Sequence, residues 1–338
     1  MVKSWTLRPG EGPSSLAPKE SDQEPLGYGH VRVAMKAWSL NARDVMVAFG
    51  QSPVPTVEEL VPLSDAAGVV METGEGVTRV TAGDRVVVTF NPAHQSGDFE
   101  PYMGAHAFGE MNQGLLSEER VLDQWALVKL QDSISFQQAA CLPCAAVTAW
   151  NALFGTDSLL PGQTVLATGT GAVSLISLKL AKAAGARVGV TSSDDSKLDR
   201  ATSMGADFGI NYRAKSDWEQ DVRAQTDGKG ADVIVETAGP PSIATSVRAA
   251  AQNGRVAQIG LKSMDGPAVS MLDLKLGGIR IVPVMVGSRA MLEQVVRAVS
   301  TNAIRLPVHK SFSFEEAPAA FSEQMSGTAF GKVTLSLE

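Results

Sequence analysis

Apolar residues follow two different spacings along the chain, and the change of spacing separates two kinds of structure. Residues 28–40 alternate apolar and polar side chains with a period of two, which predicts a half-buried strand. Further strand patterns cover residues 63–72 and 85–89, and glycine-containing turns bound them. The first part of the chain therefore predicts a compact, β-rich module.

Residues 91–114 interrupt this pattern with glycine, proline and polar side chains that show no period. A loop of this length is usually functional or mobile, so we expect it to form a lid or wall of the substrate cleft. Its histidines, His94 and His106, are expected to be loop residues rather than metal ligands, because no carboxylate-histidine spacing accompanies them. Alternation resumes over residues 113–130, and helical spacing over 137–154 predicts the link to the next domain.

A strand, a glycine turn and a helix follow one another from Thr164. The strand pattern Thr164–Ala167 leads into Gly169-Thr170-Gly171, and helical spacing begins at Val173. With a second strand at residues 187–191, this unit is the framework in which a glycine turn holds a dinucleotide pyrophosphate against a helix N-terminus. Ser174 replaces the third glycine of G-x-G-x-x-G, so we expect the helix to pack slightly further from the strand.

The end of the second strand predicts which dinucleotide is bound. Thr191-Ser192-Ser193 offers hydroxyl groups where NAD-selective proteins usually place a carboxylate. Lys197 and Tyr212-Arg213 bring cationic and polar groups toward the same place, which favours the 2′-phosphate of NADPH. Asp194 or Asp195 could instead bind the ribose and favour NADH, and this alternative stays open.

Strand and helix patterns continue to alternate after this unit. Tyr212-Arg213 closes a third strand-like segment, and strands at residues 232–236, 254–260 and 279–286 bring the number from Thr164 onward to six, which predicts a doubly wound parallel sheet. A helix at 291–299 and a strand at 331–337 complete the chain, and this last strand is expected to return to the first domain.

Composition narrows the classes of partner. The chain has 338 residues, a formal charge of -7 and a pI near 5.3, which argues against nucleic acid because such binding needs a concentrated cationic face. No apolar run is long enough for a membrane span and the N-terminus lacks the apolar region of a secretory signal, so we expect a cytoplasmic protein. The apolar neighbours of Cys141 and Cys144 favour buried structural cysteines over a redox dithiol.

Six segments together resemble the medium-chain dehydrogenase/reductase superfamily, and most closely its zinc-free, quinone-oxidoreductase-like branch: SLNARD, LSDAAGVV, GEGVTRVTAGDRVVV, CLPCAAVTAWNALF, ATGTGAVS and TSSDDSKLDRATSMGADFGINYR. The resemblance implies an α/β protein with a GroES-like, β-rich catalytic domain at residues 1–134 and 288–338. It also implies a Rossmann nucleotide-binding domain at 135–287 and a homodimer joined through the strand at 278–286.

The same resemblance locates the positions of the zinc ligands in other members of the superfamily. They correspond here to Asn41, to Ser64-Asp65 and to Cys144. One thiol and one carboxylate do not supply the three protein ligands of a catalytic zinc site, so we predict that no metal is bound.

Hydrogen bonds alone would then have to stabilise the charge that develops during hydride transfer. This is easier for a conjugated alkene or a quinone, whose negative charge is delocalised onto an oxygen, and it predicts an NADPH-dependent enone or quinone reductase. There are two alternatives: a zinc-independent alcohol dehydrogenase or carbonyl reductase, and a crystallin-like protein that binds NADPH without turnover.

The predicted catalytic residues are Asn41, Asp44 and Thr148. The predicted cofactor-binding residues are Asn41, Thr148, Gly169, Thr170, Gly171, Ala172, Val173, Ser192, Ser193, Lys197, Tyr212, Gly260, Leu261, Val284, Val286 and Arg289.

Overall fold

The computed structural model describes residues 1–215, 217–261, 263 and 265–337. Two compact units make up the chain: unit 1 is Met1–Val147 with Gly287–Glu338, and unit 2 is Thr148–Val286. The domain boundaries predicted from the sequence lie after residues 134 and 287, whereas the compact units change after Val147 and Val286.

Strands and helices are numbered in chain order. The strands are β1 (Val2–Thr6), β2 (Ala17–Ser21), β3 (His30–Ser39), β4 (Asp65–Thr73), β5 (Arg85–Val88), β6 (Glu119–Asp123), β7 (Leu127–Lys129), β8 (Thr164–Ala167), β9 (Arg187–Ser192), β10 (Phe208–Asn211), β11 (Ala231–Glu236), β12 (Ala250–Gln258), β13 (Arg280–Pro283), β14 (Val308–Ser313) and β15 (Lys332–Ser336). The α-helices are α1 (Ala42–Ala48), α2 (Phe136–Ala140), α3 (Val147–Phe154), α4 (Ala172–Ala183), α5 (Asp195–Ser203), α6 (Trp218–Gln225), α7 (Ile243–Ala249), α8 (Met271–Gly277), α9 (Arg289–Thr301) and α10 (Ala317–Met325).

Unit 1 is built on a sheet in the order β14-β15-β3-β4-β5-β7, with β6 also paired to β3. The central strand β3 is buried along most of its length, with only Lys36 fully exposed, rather than half-buried as its alternation predicts. Its neighbours explain this difference, because β4, β6 and β15 all pair with it and side chains cover both of its faces.

The last strand returns to the first part of the chain, as the sequence predicts. β15 runs antiparallel to β3, with Thr334 opposite Ser39 and Leu335 opposite Trp38. The backbone N–H of Leu40 donates to Val333 O at 3.0 Å, which extends this pairing past the end of β3. Consequently, Lys332 lies beside the junction between β3 and α1.

The predicted helix over residues 137–154 is interrupted. Ser135 caps α2 by accepting from the backbone N–H of Gln138 at 3.2 Å, and the segment Leu142–Ala146 between α2 and α3 is a π-helix. Pro143 has no backbone N–H to donate, which explains why the regular helical hydrogen bonding stops there.

Unit 2 contains the predicted doubly wound parallel sheet. Its strand order is β10-β9-β8-β11-β12-β13, and every neighbouring pair is parallel. The order reverses between β8 and β11, and the crevice outside the carboxyl ends of the strands at such a reversal is where open α/β sheets bind their ligands. None of the described helices is long and apolar enough to cross a membrane.

Candidate functional site

Asn41 lies at the junction of β3 and α1 and is only 8% exposed. Its backbone is extended and it occupies the N-cap position of the helix, so its N–H and side chain are free of the helical hydrogen-bond ladder. The backbone N–H donates instead to Asp44 Oδ2 at 2.7 Å. This contact fixes Asn41 at the start of α1.

A buried lysine determines how the Asn41 side chain is oriented. Lys332 is 1% exposed, and its Nζ donates to Asn41 Oδ1 at 2.6 Å and to Leu40 O at 2.7 Å. An ammonium group has only donors, so it must face the carbonyl end of the carboxamide. Asn41 Nδ2 therefore points away from the lysine, and within the described parts of the chain this buried atom has no hydrogen-bond partner.

The positions that the resemblance assigned to metal ligands converge on this same lysine. Asp65 Oδ2 lies 3.6 Å from Lys332 Nζ and accepts from the backbone N–H of Cys144 at 3.3 Å, while its Oδ1 accepts from Ser64 Oγ at 2.8 Å. An ammonium group therefore lies beside two of these positions, Asn41 and Asp65. Over residues 1–215, 217–261, 263 and 265–337, no group of three or more His, Cys, Asp or Glu side chains could hold a metal ion, so the residues do not fit a tetrahedral zinc site.

Asp44 carries a carboxyl group in an unusual environment. It is buried, and burial raises its pKa to about 6, while the Arg43 guanidinium and the Asn41 N–H partly oppose this shift. Asp44 Oδ1 lies 3.7 Å from Arg43 Nη2 but has no hydrogen-bond partner among the described residues.

The two cysteines do not have the properties of a redox dithiol. Burial raises the pKa of Cys141 and that of Cys144 to about 12, with the nearby Asp65 carboxylate adding to the effect. Both side chains are therefore neutral thiols at physiological pH, which disfavours thiolate chemistry.

Arg43 ties helix α1 to the loop at residues 91–114. Its Nη2 donates to Phe108 O at 2.6 Å, its Nη1 lies 3.4 Å from Glu110 Oε2, and its guanidinium lies 4.6 Å from the centre of the Phe90 ring. Glu110 is buried and also accepts from Ser52 Oγ. The loop is therefore anchored to the helix that carries Asn41, while its role as a lid or wall stays a prediction.

In unit 2, the predicted glycine turn follows β8 at the reversal of strand order. Gly169 has φ +80°, a conformation that favours glycine, and its N–H donates to Thr191 Oγ1 at 3.0 Å. Gly171 caps α4, and a Cβ added there would meet open space. The turn also contains Thr170, and the first helical positions are Ala172 and Val173. Because the first N–H groups of a helix have no partner within the helix, those at the start of α4 are the donors available to a phosphate. Ser174 is fully buried and donates to Thr168 O at 2.7 Å, so its hydroxyl is satisfied against the end of β8.

A buried carboxylate that sequence reasoning missed organises the neighbouring loop. Glu236 ends β11 and is fully buried, and its Oε1 accepts from the N–H groups of Ala238 and Gly239 at 2.8 and 3.1 Å and from Ser242 Oγ at 2.8 Å. Its Oε2 accepts from Ser246 Oγ. A charged residue at the carboxyl end of a buried strand, at the edge where parallel strands end, is the signal that could have identified it.

The residues predicted to bind the 2′-phosphate lie at and just after the carboxyl ends of β9 and β10. Tyr212 N–H donates to Ser192 O at 3.1 Å, so these two residues are neighbours, and Ser193 and Lys197 follow at the loop and on α5. The alternative carboxylates have other partners. Asp194 Oδ1 accepts from Ser196 Oγ at 2.7 Å and, as the cap of α5, from Ser196 N at 2.8 Å, and these hydrogen bonds lower the pKa of Asp194. Asp195 Oδ1 accepts from Asn211 Nδ2 at 2.8 Å.

The remaining predicted residues are divided between the units. Gly260 and Leu261 follow β12, and a Cβ on Gly260 would lie 2.0 Å from Thr237 O, so this close approach requires glycine. Val284 and Val286 follow β13, and Val286 has φ +44°, which is uncommon for a β-branched residue. Thr148 is buried on α3 in unit 2.

Arg289 lies in unit 1 at the start of α9 and already has partners. Its Nε donates to Gln95 Oε1 at 2.5 Å, and its Nη1 pairs with Glu293. Binding a pyrophosphate would require the guanidinium to exchange these partners, so its predicted role stays a prediction.

Lys332 gave only a weak signal at the level of the sequence. It opens an apolar strand, where a charged residue is ordinary, and its partners Asn41 and Asp65 are far away along the chain. A lysine inside a terminal strand that is expected to return to the first domain was the available hint.

Comparison with known proteins agrees with this architecture. The family model described as "Alcohol dehydrogenase GroES-like domain" matches residues 27–132, and that described as "Zinc-binding dehydrogenase" matches residues 172–301. A zinc-type alcohol dehydrogenase-like protein of Schizosaccharomyces pombe is 35% identical over 97% of this chain and 96% of its own length.

Two solved structures extend the comparison. A Sinorhizobium meliloti protein provisionally assigned as an alcohol dehydrogenase has a TM-score of 0.93 at 35% identity and covers 100% of this chain and 99% of its own. A quinone oxidoreductase of Pseudomonas syringae has a TM-score of 0.83 at 26% identity and covers 100% of both chains. The chain therefore belongs to the medium-chain dehydrogenase/reductase superfamily and is an NAD(P)-dependent oxidoreductase.

Proposed function

We propose that the protein is a zinc-independent, NADPH-dependent reductase of conjugated alkenes (enones) or quinones. One observation carries this proposal: Asn41 Nδ2 is buried and has no hydrogen-bond partner within the described residues, while Lys332 holds the other end of the carboxamide. A buried donor without a partner costs roughly 1–3 kcal/mol, and a substrate oxygen at this position would remove that cost.

The chemistry follows from where charge develops. When bound, the reduced nicotinamide supplies a hydride to the β-carbon of an enone or to a quinone ring. The electron pair of the double bond then moves to the carbonyl oxygen, which accepts a hydrogen bond from Asn41 Nδ2. A proton from water completes the reduction. Asp44 holds the backbone of Asn41, so it acts as a positioning residue in this proposal.

Zinc independence rests on the chemistry of the donor set. A metal ion would have to displace the Lys332 ammonium from its position beside Asn41 and Asp65. Moving a buried cation away from a buried carboxylate costs several kcal/mol. Elemental analysis that finds stoichiometric zinc in the purified protein would contradict this part of the proposal.

The choice of NADPH rests on the occupied carboxylates. Asp194 caps α5 and Asp195 binds Asn211, so a ribose 2′-hydroxyl would compete with existing partners. The hydroxyls of Ser192 and Ser193 and the Lys197 ammonium supply the donors that a 2′-phosphate requires. The exposed glycine turn at Gly171 would hold the pyrophosphate.

Assembly as a homodimer is part of the same proposal. β13 stands at one end of the parallel sheet, and α8 beside it has no buried residue. Exposed apolar side chains lie on α8 and just after β13, namely Met271, Leu272, Leu276 and Met285. A second copy that pairs with this edge would cover them. A cytoplasmic location also remains a prediction.

The alternative is a zinc-independent alcohol dehydrogenase or carbonyl reductase. Two relatives with 35% identity favour the alcohol dehydrogenase activity, since one is described as zinc-type alcohol dehydrogenase-like and the other is provisionally assigned as an alcohol dehydrogenase. The third possibility, NADPH binding without turnover as in crystallin-like relatives, has no structural observation that favours it.

Oxidation of NADPH by chelator-treated protein tests these functions together. A quinone, an enone and a saturated aldehyde are offered separately, and absorbance of NADPH is followed. We expect turnover with the quinone or the enone and a loss of about 10²–10³-fold in kcat for Asn41→Ala. The matched control is Asn302→Ala, which removes an exposed asparagine of the same unit and should leave kcat unchanged. Turnover with the aldehyde alone would favour the alternative, and no turnover with any acceptor would contradict the proposal.

A further inference from the structure

Lys332 is a fully buried cation next to the residue on which the proposed chemistry depends. Three groups surround its ammonium: Asn41 Oδ1 at 2.6 Å, Leu40 O at 2.7 Å and Asp65 Oδ2 at 3.6 Å. The two shortest contacts are to neutral oxygens, and the carboxylate lies beyond ordinary hydrogen-bond distance. Compensation of the Asp65 charge alone therefore does not account for where the ammonium sits.

The contact with Asn41 has a chemical consequence. The two ends of a carboxamide have nearly the same shape, so packing does not by itself distinguish the orientation with the oxygen inward from that with the nitrogen inward. A lysine excludes the second orientation, because two groups that only donate cannot hydrogen-bond each other. Donation to Asn41 Oδ1 also polarises the amide and makes Nδ2–H a stronger donor.

We infer that Lys332 is a positioning residue for the hydride-transfer reaction. It holds the Asn41 carboxamide so that Nδ2 is always the end presented to the substrate oxygen, and it does not touch the substrate itself. This inference rests on the proposed function, because that function assigns Nδ2 its task. The alternative is that Lys332 only stabilises the fold by compensating the charge of Asp65.

Substitution by glutamine separates the two possibilities. In Lys332→Gln the new amide can donate or accept, so it no longer dictates the orientation of Asn41. We expect kcat to fall by about 10–100-fold while KM for NADPH stays unchanged. Adding Lys332→Gln to Asn41→Ala should lower kcat no further, because the lysine acts only through the asparagine. Lys332→Arg keeps the charge and the donors and should recover most of the lost kcat.

Arg32→Met is the matched control. Arg32 is another largely buried cation of unit 1 with a carboxylate partner, Glu72, and it makes its contacts away from Asn41. It should lose stability and keep kcat. An equal loss of kcat in Arg32→Met and Lys332→Gln would show a general structural effect and overturn the inference, as would a further loss in the double variant.

A readout independent of turnover distinguishes failure of this inference from failure of the proposed function. The side-chain amide signals of Asn41 are measured by ¹⁵N NMR and assigned through their absence in Asn41→Asp. In the wild-type protein we expect one sharp, slowly exchanging pair, which shifts or doubles in Lys332→Gln. If Lys332→Gln does not fold, the side-chain amide signals of Asn41 in the wild-type protein provide the test. An Asn41 amide that rotates rapidly about its Cβ–Cγ bond, or that has several environments, would overturn the inference even where turnover supports the function. A fixed amide in a protein without turnover would show that the orientation of Asn41 is held, but it would contradict the proposed function and with it the role of Lys332 in hydride transfer.

Discussion

Asp44 provides a prediction that does not depend on any substrate. It is 2% exposed, one of its carboxylate oxygens accepts from the Asn41 N–H, and the other has no hydrogen-bond partner within the described residues. Burial raises its pKa from 3.8 to about 6. Between these two values the folded state binds a proton that the unfolded state releases. The protonated carboxyl therefore favours folding below about pH 4, and this contribution is lost as the pH rises through about 6.

The size of the effect follows from the pKa difference. A shift of about 2 units corresponds to about 3 kcal/mol of unfolding free energy, and the whole amount is lost by about pH 7. Asp44→Asn removes the titration but keeps the shape and an acceptor for Asn41 N–H. The stability of the wild type relative to Asp44→Asn should therefore fall by about 3 kcal/mol between about pH 4 and about pH 7.

Two measurements check this prediction. Urea unfolding of both proteins across this pH range gives the difference in free energy, and ¹³C NMR of the carboxyl groups gives the titration midpoint of Asp44 directly. Asp84 is the matched control in the same unit. Although burial opposes the shift, hydrogen bonds from Lys129 and from Thr81 N–H lower the pKa of Asp84. The wild type should therefore gain stability relative to Asp84→Asn only as the pH rises to about 4, and this difference should stay nearly constant between about pH 4 and about pH 7. A pH-independent difference for Asp44→Asn, or a midpoint at or below about 4, would refute the reasoning.

Further predictions concern the cofactor and the assembly. Lys197→Ala should weaken NADPH binding much more than NADH binding, as measured by fluorescence titration, and equal weakening would show that the 2′-phosphate assignment is wrong. Gly171→Val should fold, because Gly171 has φ −78° and a Cβ added there would meet open space. The valine should nevertheless reduce NADPH affinity at least about tenfold, because its side chain would fill the proposed phosphate site. Unchanged affinity in isothermal calorimetry would contradict that site. Glu236→Gln should destabilise unit 2 by about 1–3 kcal/mol in urea unfolding, because the new NH₂ group would face N–H and hydroxyl groups that donate to the carboxylate. An unchanged midpoint of unfolding would contradict this account of the loop. Light scattering at micromolar concentration should give the mass of two chains, and a mass of one chain would exclude the proposed dimer.

Local sequence patterns determined most of the architecture. The period-two strands and the β8–α4 glycine turn depend on residues close together in the chain, whose burial and backbone preferences are readable from composition and spacing. The same holds for the parallel strands that end in Glu236 and Gln258, because short apolar runs between helices fit only a sheet covered on both faces. The interruption of the helix at Leu142–Ala146 was not predicted, since its helical spacing continues through the irregular segment.

Tertiary structure alone decided the electrostatic character of the Asn41 site. The sequence placed Asn41 after one strand and Asp65 within another, but β15 brings Lys332 to both of them from the far end of the chain. The orientation of a carboxamide and the pKa of Asp44 depend on which charges and dipoles lie within a few ångströms after folding. Sequence spacing carries no information about such distances, because they are set by the pairing of strands that are remote in the chain.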